Sequence, residues 1–358
     1  MASMRRIAAF VYSVMTDRTD GKGIMFVLVK GGLNLLSRLY SFGIFVILLG
    51  YTKGVLRQER LDRPVISIGN ITVGGTGKTP LVIAIAELIR SRGDRPAVLT
   101  RGYRQADGFS DEAVVLRQHL PGVPVLIGAN RARQARRFLR DHSADVFILD
   151  DGFQHWRLFR EEDWLVIDAT NPFGNGAVLP SGILREPLKG LGRATLIILT
   201  KTDQASEEQN AALRRIIQQR CPHAPVIETV HQPVSWVGMT TGQEEPVTSL
   251  RGRRVVSCCG IGQPDSFAKT LRDVGVEVDQ AFVFGDHHGY TRQDCLAIKT
   301  DCIRRGVTTL VTTEKDAVKL QAFSALLNDI RVMVLRIQIN VIKGKHVLLE
   351  RIDRLLRR

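Results

Sequence analysis

The chain is poor in cysteine, and the cysteines it has form no pattern. Its five, Cys221, Cys258, Cys259, Cys295 and Cys302, are odd in number and include no C-x-x-C pair, which argues against a disulfide framework and gives no zinc-finger spacing. Buried thiols in a reducing, cytoplasmic compartment are the reading that remains. Aromatic residues reach only 6%, and neither an RNA-binding aromatic signature nor a long Lys/Arg block accompanies the net charge of +14. Nucleic acid is therefore not an expected partner. No repeat or low-complexity segment occurs, and 44% hydrophobic residues over 358 positions suffice for sizeable cores. Nor is there a long apolar run without charge. The stretch from Leu39 to Thr52 holds no charged residue, but as a helix it reaches only about 21 Å, short of the ~30 Å hydrocarbon core. It starts too late, and lacks the small-residue cleavage site, for a signal peptide.

What is present is uneven. Residues 1 to 63 hold ten Lys/Arg against four Asp/Glu, and residues 331 to 358 hold eight against two, so the two ends carry +12 between them and the middle is nearly neutral. Arg38, Lys53, Arg57, Arg60 and Arg63 flank the apolar run, as in a helix lying in the interface against anionic lipid. The alternative is a core helix packed on the first domain.

The most informative residues are Gly74-Gly75-Thr76-Gly77-Lys78-Thr79. Glycines let backbone N–H groups close around a polyphosphate, the lysine meets its outer phosphates, and the threonine hydroxyl can ligate Mg²⁺. The strict spacing would place glycine at 72, where Thr72 stands, so the loop is a shortened variant, with Thr72 and Val73 leading into the cradle. A β-rich run, Val65 to Ile68, precedes it and a helical run, Leu81 to Arg90, follows. Apolar strand-like runs then alternate with helical stretches. A second such series begins after the polar stretch Thr240 to Thr248. The expected fold is α/β: a P-loop-type parallel sheet domain plus a second, smaller α/β domain. The expected division is 1–60 as an N-terminal membrane-associated helical segment, 61–240 as the P-loop nucleotide-binding domain and 250–358 as a C-terminal domain closing a cleft, joined near 235–252.

Three clusters carry chemistry. Asp150-Asp151 end the apolar strand Val146 to Leu149, the place where P-loop enzymes hold Mg²⁺ opposite the loop threonine. Asp111-Glu112, and Asp286-His287-His288 from the second domain, offer carboxylates and an imidazole to one cleft, suited to taking a proton from a hydroxyl nucleophile. Alone, each is also compatible with an ordinary loop carboxylate or turn histidine.

Six ordered motifs resemble the lipid A 4′-kinase family: Gly69-Asn70 through Thr79-Pro80, Arg101-Gly102-Tyr103, Asp150-Asp151-Gly152-Phe153-Gln154-His155, Leu179-Pro180 through Glu186-Pro187, Asp286-His287 and Thr313-Glu314-Lys315-Asp316-Ala317-Val318. The resemblance implies ATP-dependent phosphorylation of the 4′-hydroxyl of tetraacyldisaccharide 1-phosphate, with Mg²⁺, at the cytoplasmic face of a bacterial inner membrane. It implies phosphate and metal roles for Lys78 and Thr79, a metal shell of Asp150 and Asp151 with Glu112 beside it, and a base dyad of Asp111 and His287. Tyr103, Arg131, Gln154, Arg185 and Glu186 become cleft residues. The partners implied are the acylated disaccharide 1-phosphate and an anionic membrane surface, and no obligate protein partner is expected. The chain departs from the family at Ser110-Asp-Glu-Ala113, where many relatives have Gly-Asp-Glu-Pro. A competing reading is a membrane-associated P-loop ATPase or GTPase switch. Val73 stands where the partitioning ATPases carry lysine, and Thr200-Lys201-Thr202-Asp203 lacks the asparagine that reads guanine.

Overall fold

The computed structural model describes residues 24–102 and 111–356. Tyr103 and Ser110, and the first 23 residues of the N-terminal segment, lie outside them. The first half is built on β1 (Val65–Asn70), β2 (Pro96–Thr100), β3 (Val125–Ile127), β4 (Val146–Asp150), β5 (Glu162–Asp168), β6 (Leu196–Thr200) and β7 (Val226–Gly238). These strands lie in the order β7-β6-β5-β1-β4-β2-β3 with every pairing parallel. β1, β2, β4, β5 and β6 are buried along their whole lengths. That is why they read as continuous apolar runs, since a parallel sheet is covered by helices on both faces. The helices are α2 (Lys78–Ser91), α3 (Asp111–His119), α4 (Arg131–Asp141) and α5 (Glu207–Arg220).

The second half contributes β9 (Arg254–Cys259), β10 (Glu277–Val283), β11 (Thr309–Thr313) and β12 (Arg331–Lys343), in the order β10-β9-β11-β12 and again parallel. With them come α6 (Pro264–Asp273), α7 (Arg292–Arg305), α8 (Glu314–Leu320) and α9 (Lys345–Leu356). The halves meet where β12 pairs antiparallel with β7 over most of their 13 residues each. One sheet thus runs through both, with β8 (Glu244–Pro246) at the side of β7. Residues 235–238, inside the expected junction, are strand. Neither β7 nor the short helix α8 announces itself in the sequence. Polar residues interrupt the apolar pattern of β7, and α8 spans only seven positions.

The N-terminal helix α1 (Ile24–Thr52) is 29 residues long, about twice the uncharged run. Lys30 and Arg38 interrupt its apolar character but are good helix formers, so they do not stop the helix. Residues Phe26–Thr52 are long and apolar enough to cross a membrane, so the length argument against a span does not hold. Most of the helix is not core: Val27, Leu28, Leu35, Phe42 and Phe45 are more than half exposed. One edge docks, where the Ser37 hydroxyl donates to the Val178 carbonyl at 2.7 Å and Asn34 hydrogen-bonds Ser181.

Candidate functional site

The loop 74–77 leaves β1 and enters α2. Gly77, at φ 86°, is the residue before the helix, and a side chain there would lie 2.6 Å from the His231 imidazole, so glycine is required by both conformation and space. The first N–H groups of α2 have no side-chain cap and face the loop, which makes an anion cradle. Val73 N–H donates to the Ile183 carbonyl and Arg185 N–H to the Ile71 carbonyl, at 2.8 and 2.7 Å. These bonds lay the Leu179-to-Pro187 motif along the loop and deliver Arg185 to the site. Lys78 Nζ lies 3.1 Å from Asn70 Oδ1 and 3.4 Å from Asp151. Arg185 donates to both Asp151 oxygens at 2.9 Å. Against the burial that would raise its pKa, Lys78 and Arg185 hold Asp151 below the ordinary carboxylate range.

Its neighbour behaves in the opposite way. Asp150 is buried; Oδ2 accepts from Thr100 at 3.2 Å, and Oδ1 has no partner. Burial, followed by the nearby charges of Glu112 and Asp151, pushes its pKa up to about 7 despite Lys78. A buried carboxylate oxygen with no donor beside the phosphate cradle fits a divalent cation. Mg²⁺ typically takes one or two carboxylates plus phosphate oxygens and water. Asp150 and the Thr79 hydroxyl would hold it, while Asp151 is already occupied by two cations.

The second half supplies the opposite wall. His287, at φ 58°, presents Nδ1 3.8 Å from Asp111 Oδ2 and Nε2 4.0 Å from Glu112. Asp111 is buried and also pairs with Lys319 at 2.8 Å; burial raises its pKa, but His287 and Lys319 together hold it below the usual range. Of the two histidines, His287 faces the cleft. His288 stacks on Phe284 at 4.5 Å and bonds Asp294 at 3.0 Å. Lys315 stands between His287 (3.3 Å), Glu112 (3.6 Å) and Asp286 (3.6 Å). Gly262, in the loop after β9, packs directly on the phosphate cradle, since a Cβ there would meet Gly75 N at 2.8 Å. Among the described residues, the non-glycine residues with positive φ are Asp151, Lys201 and His287, all in this region, where strain of this kind collects at working sites.

These walls enclose a cavity of about 1040 Å³. Lys78, Thr79, Asp150, Glu112 and His287 line it, as do Arg131, Gln154 and Arg185, and Tyr40 of α1 is in its wall. Arg131 is buried there and donates to the Ala129 carbonyl. Glu186 is fully buried behind the cleft and accepts from Gln154 and, through two bonds, from Arg193, so it fixes Gln154 in place. Thr200, in the segment compared with a guanine-reading motif, donates its hydroxyl to the Thr76 carbonyl at 2.9 Å, and Lys201 is tied to buried Asp168 at 2.6 Å. Sequence reasoning assigned no role to Asn70, Lys315 or Lys319. The Thr313-to-Val318 motif holds Lys315, and Lys319 lies just beyond it.

Known proteins resemble this chain in sequence and in fold. A family model described as tetraacyldisaccharide-1-P 4′-kinase matches residues 30–357. A protein named tetraacyldisaccharide 4′-kinase from Anaeromyxobacter sp. (strain K) is 41% identical over 320 residues, covering 85% of this chain and 84% of the relative. Its namesake from Syntrophus aciditrophicus is 36% identical over 325 residues, covering 82% of this chain and 85% of the relative. The crystal structure of LpxK from Aquifex aeolicus in complex with ATP superposes with a TM-score of 0.68 at 28% identity, covering 90% of this chain and 99% of that one.

Proposed function

Because the chain belongs to the tetraacyldisaccharide-1-P 4′-kinase family, we propose that its cleft transfers phosphate with Asp111 and His287 as the base pair. The chain is an ATP-dependent kinase of lipid A biosynthesis, and ATP and Mg²⁺ are its cofactors. The observation that carries the site reading is the pair itself: a buried carboxylate 3.8 Å from a half-exposed imidazole, on the wall facing Lys78. Only His287 is exposed enough to touch an acceptor, so it takes the proton from the 4′-hydroxyl and Asp111 balances the charge that appears on the ring. The separation is long for a hydrogen bond, as is common before substrates bind. Lys78 leaves Asp151 for the transferred phosphoryl, and Arg185 keeps Asp151 ionised meanwhile. Lys315 adds a second cation from the other side. Bound Mg²⁺ supplies charge neutralisation on the phosphates; Asp150 and Thr79 hold it.

The two sides act as lobes, residues 61–240 and 250–343, on either side of the β7–β12 ribbon; the expected second domain ran to 358, but α9 crosses back and packs Leu348, Ile352 and Leu355 into the core of the first half. Residues 1–60 attach the enzyme to the cytoplasmic face of the inner membrane, with Lys53, Arg57 and Arg60 against anionic headgroups. Tyr40 in the cleft wall supports this, since it places the apolar helix at the mouth through which an acylated acceptor would enter. The test is transfer from ATP to tetraacyldisaccharide 1-phosphate in mixed micelles, compared with hydrolysis in the absence of acceptor. Acceptor-independent hydrolysis without transfer would replace the kinase with a nucleotide switch.

A further inference from the structure

Helices α3 and α8 come from opposite sides of the cleft and carry matching charge patterns. α3 has Asp111 and Glu112 in its first turn and Arg117 and His119 in its last; α8 has Glu314 and Asp316 first and Lys319 last. They pack antiparallel, so the acid end of each meets the basic end of the other. Asp111 pairs with Lys319 at 2.8 Å, and at the far end His119 meets Glu314 at 2.6 Å. Between them Glu112 faces Lys315 at 3.6 Å. Lys315 and Lys319 are four positions apart on one face of α8.

From this ladder we infer that Lys319 is a positioning residue for the general base: it fixes the Asp111 carboxylate at the spot where His287 can use it. This rests on the reading of Asp111 and His287 as the base pair. Lys319 does not line the cleft and is almost fully buried, so it reaches neither ATP nor acceptor. Its own mounting is rigid. The Thr313 hydroxyl caps α8 by accepting from Asp316 N–H at 3.2 Å, and buried Asp316 accepts from Gly260 N–H at 3.0 Å, tying α8 to the end of β9. Asp111 stands in the first turn of α3, where one contact can swing the side chain, and the carboxylate is shared by the ammonium and the imidazole. Removing the ammonium leaves the acid next to His287 but no longer held in place.

The test is a cycle of Lys319→Met and Asp111→Asn, with kcat measured on tetraacyldisaccharide 1-phosphate in micelles and ATP affinity measured by direct binding. Lys319→Met should lower kcat by about 10- to 100-fold with ATP affinity within about 3-fold of wild type, and Lys319→Arg should recover most of the loss. In the Asp111→Asn background the same change should cost less than about 3-fold, because the group it acts through is gone. A purely structural lysine would lower stability and ATP affinity and would cost as much in either background. A Lys319→Met kcat within about 3-fold of wild type, or losses that multiply across the cycle, overturns the inference. If Asp111→Asn alone keeps full kcat, the base-pair reading has failed and the inference falls with it. Should Lys319→Met not bind ATP, Lys319→Gln takes its place in the cycle, with the same loss expected, and equal losses in both backgrounds overturn the proposal.

Discussion

Asp150→Asn should stabilise the metal-free protein at alkaline pH while removing its response to Mg²⁺. The carboxyl is buried, and burial together with Glu112 and Asp151 raises its pKa from 3.8 to about 7. A group whose folded pKa is raised favours folding most fully below its unfolded pKa and loses that contribution as pH rises through the folded value. Between pH 4 and 7 the metal-free wild type should therefore lose stability relative to the variant. At about 1.36 kcal/mol per pKa unit the difference approaches 4 kcal/mol by pH 8, an upper limit that water entry on ionisation reduces. At about 2 °C per kcal/mol for a chain of this size, melting should shift upward by roughly 4 to 8 °C.

The comparison has to be made as a difference between the two proteins. His155 and His231 are held neutral by burial and neighbouring cations, with pKa values lowered to about 4 and about 3. Their contribution has the opposite sign: it is present above about pH 6.5 and lost as pH falls. Both proteins share it, so the Asp150 effect is what remains. Calorimetry in detergent with a chelator, from pH 5 to 8.5, reads it directly. Adding Mg²⁺ at pH 8 should then raise the melting temperature of the wild type alone, because the ion gives Asp150 Oδ1 its missing partner. A variant less stable than wild type at pH 8 would refute the raised pKa, and an unchanged Mg²⁺ response would refute the metal role.

Lys78→Ala should lower kcat by at least ~100-fold, the scale of one lost charge contact in the transition state, with the fold intact by circular dichroism; near-normal turnover would take the loop out of the mechanism. Asp111→Asn should cost ~10² to 10⁴ in kcat with little change in the KM for ATP. Adding His287→Ala should then cost far less than it does alone, and a full product of the two losses would mean that the residues work separately. Deleting residues 1–60 should release the protein from anionic vesicles. It should also raise the acceptor KM more than the ATP KM, because Tyr40 leaves the cleft wall while the strand into the loop begins only at Val65; vesicle binding that survives the deletion would move the anchor elsewhere.

The first half was legible because its signals are local. A buried parallel strand is a continuous apolar run, and a glycine loop between such a strand and a helix has few other uses. Asp150 could be placed near the cradle on the same ground, since it ends a strand that pairs with β1. What the sequence could not show was the difference between Asp150 and Asp151. They are adjacent and chemically alike, and only the fold puts Lys78 and Arg185 on one and nothing on the other's Oδ1. The choice between His287 and His288 was hidden for the same reason, being decided by Phe284 and Asp294. The ribbon of β7 and β12 escaped because long-range antiparallel pairing leaves no periodic mark on a strand whose residues alternate irregularly between core and solvent.

The ribbon also explains why the site needs both halves. The phosphate cradle and Asp150 belong to the first half and His287, Lys315 and Lys319 to the second, while Asp111 on α3 takes its partners from across the cleft. The proposed base pair is therefore drawn from both halves. Gly262 against Gly75 marks how close the halves come, since a single methyl group at 262 would collide with the cradle. A Gly262→Ala change should consequently impair transfer without removing a charged group, by crowding Gly75 N at 2.8 Å and Asp286 Oδ2 at 3.2 Å and so holding His287 away from Asp111. Near-normal kcat in that variant would show that the base pair forms without this contact.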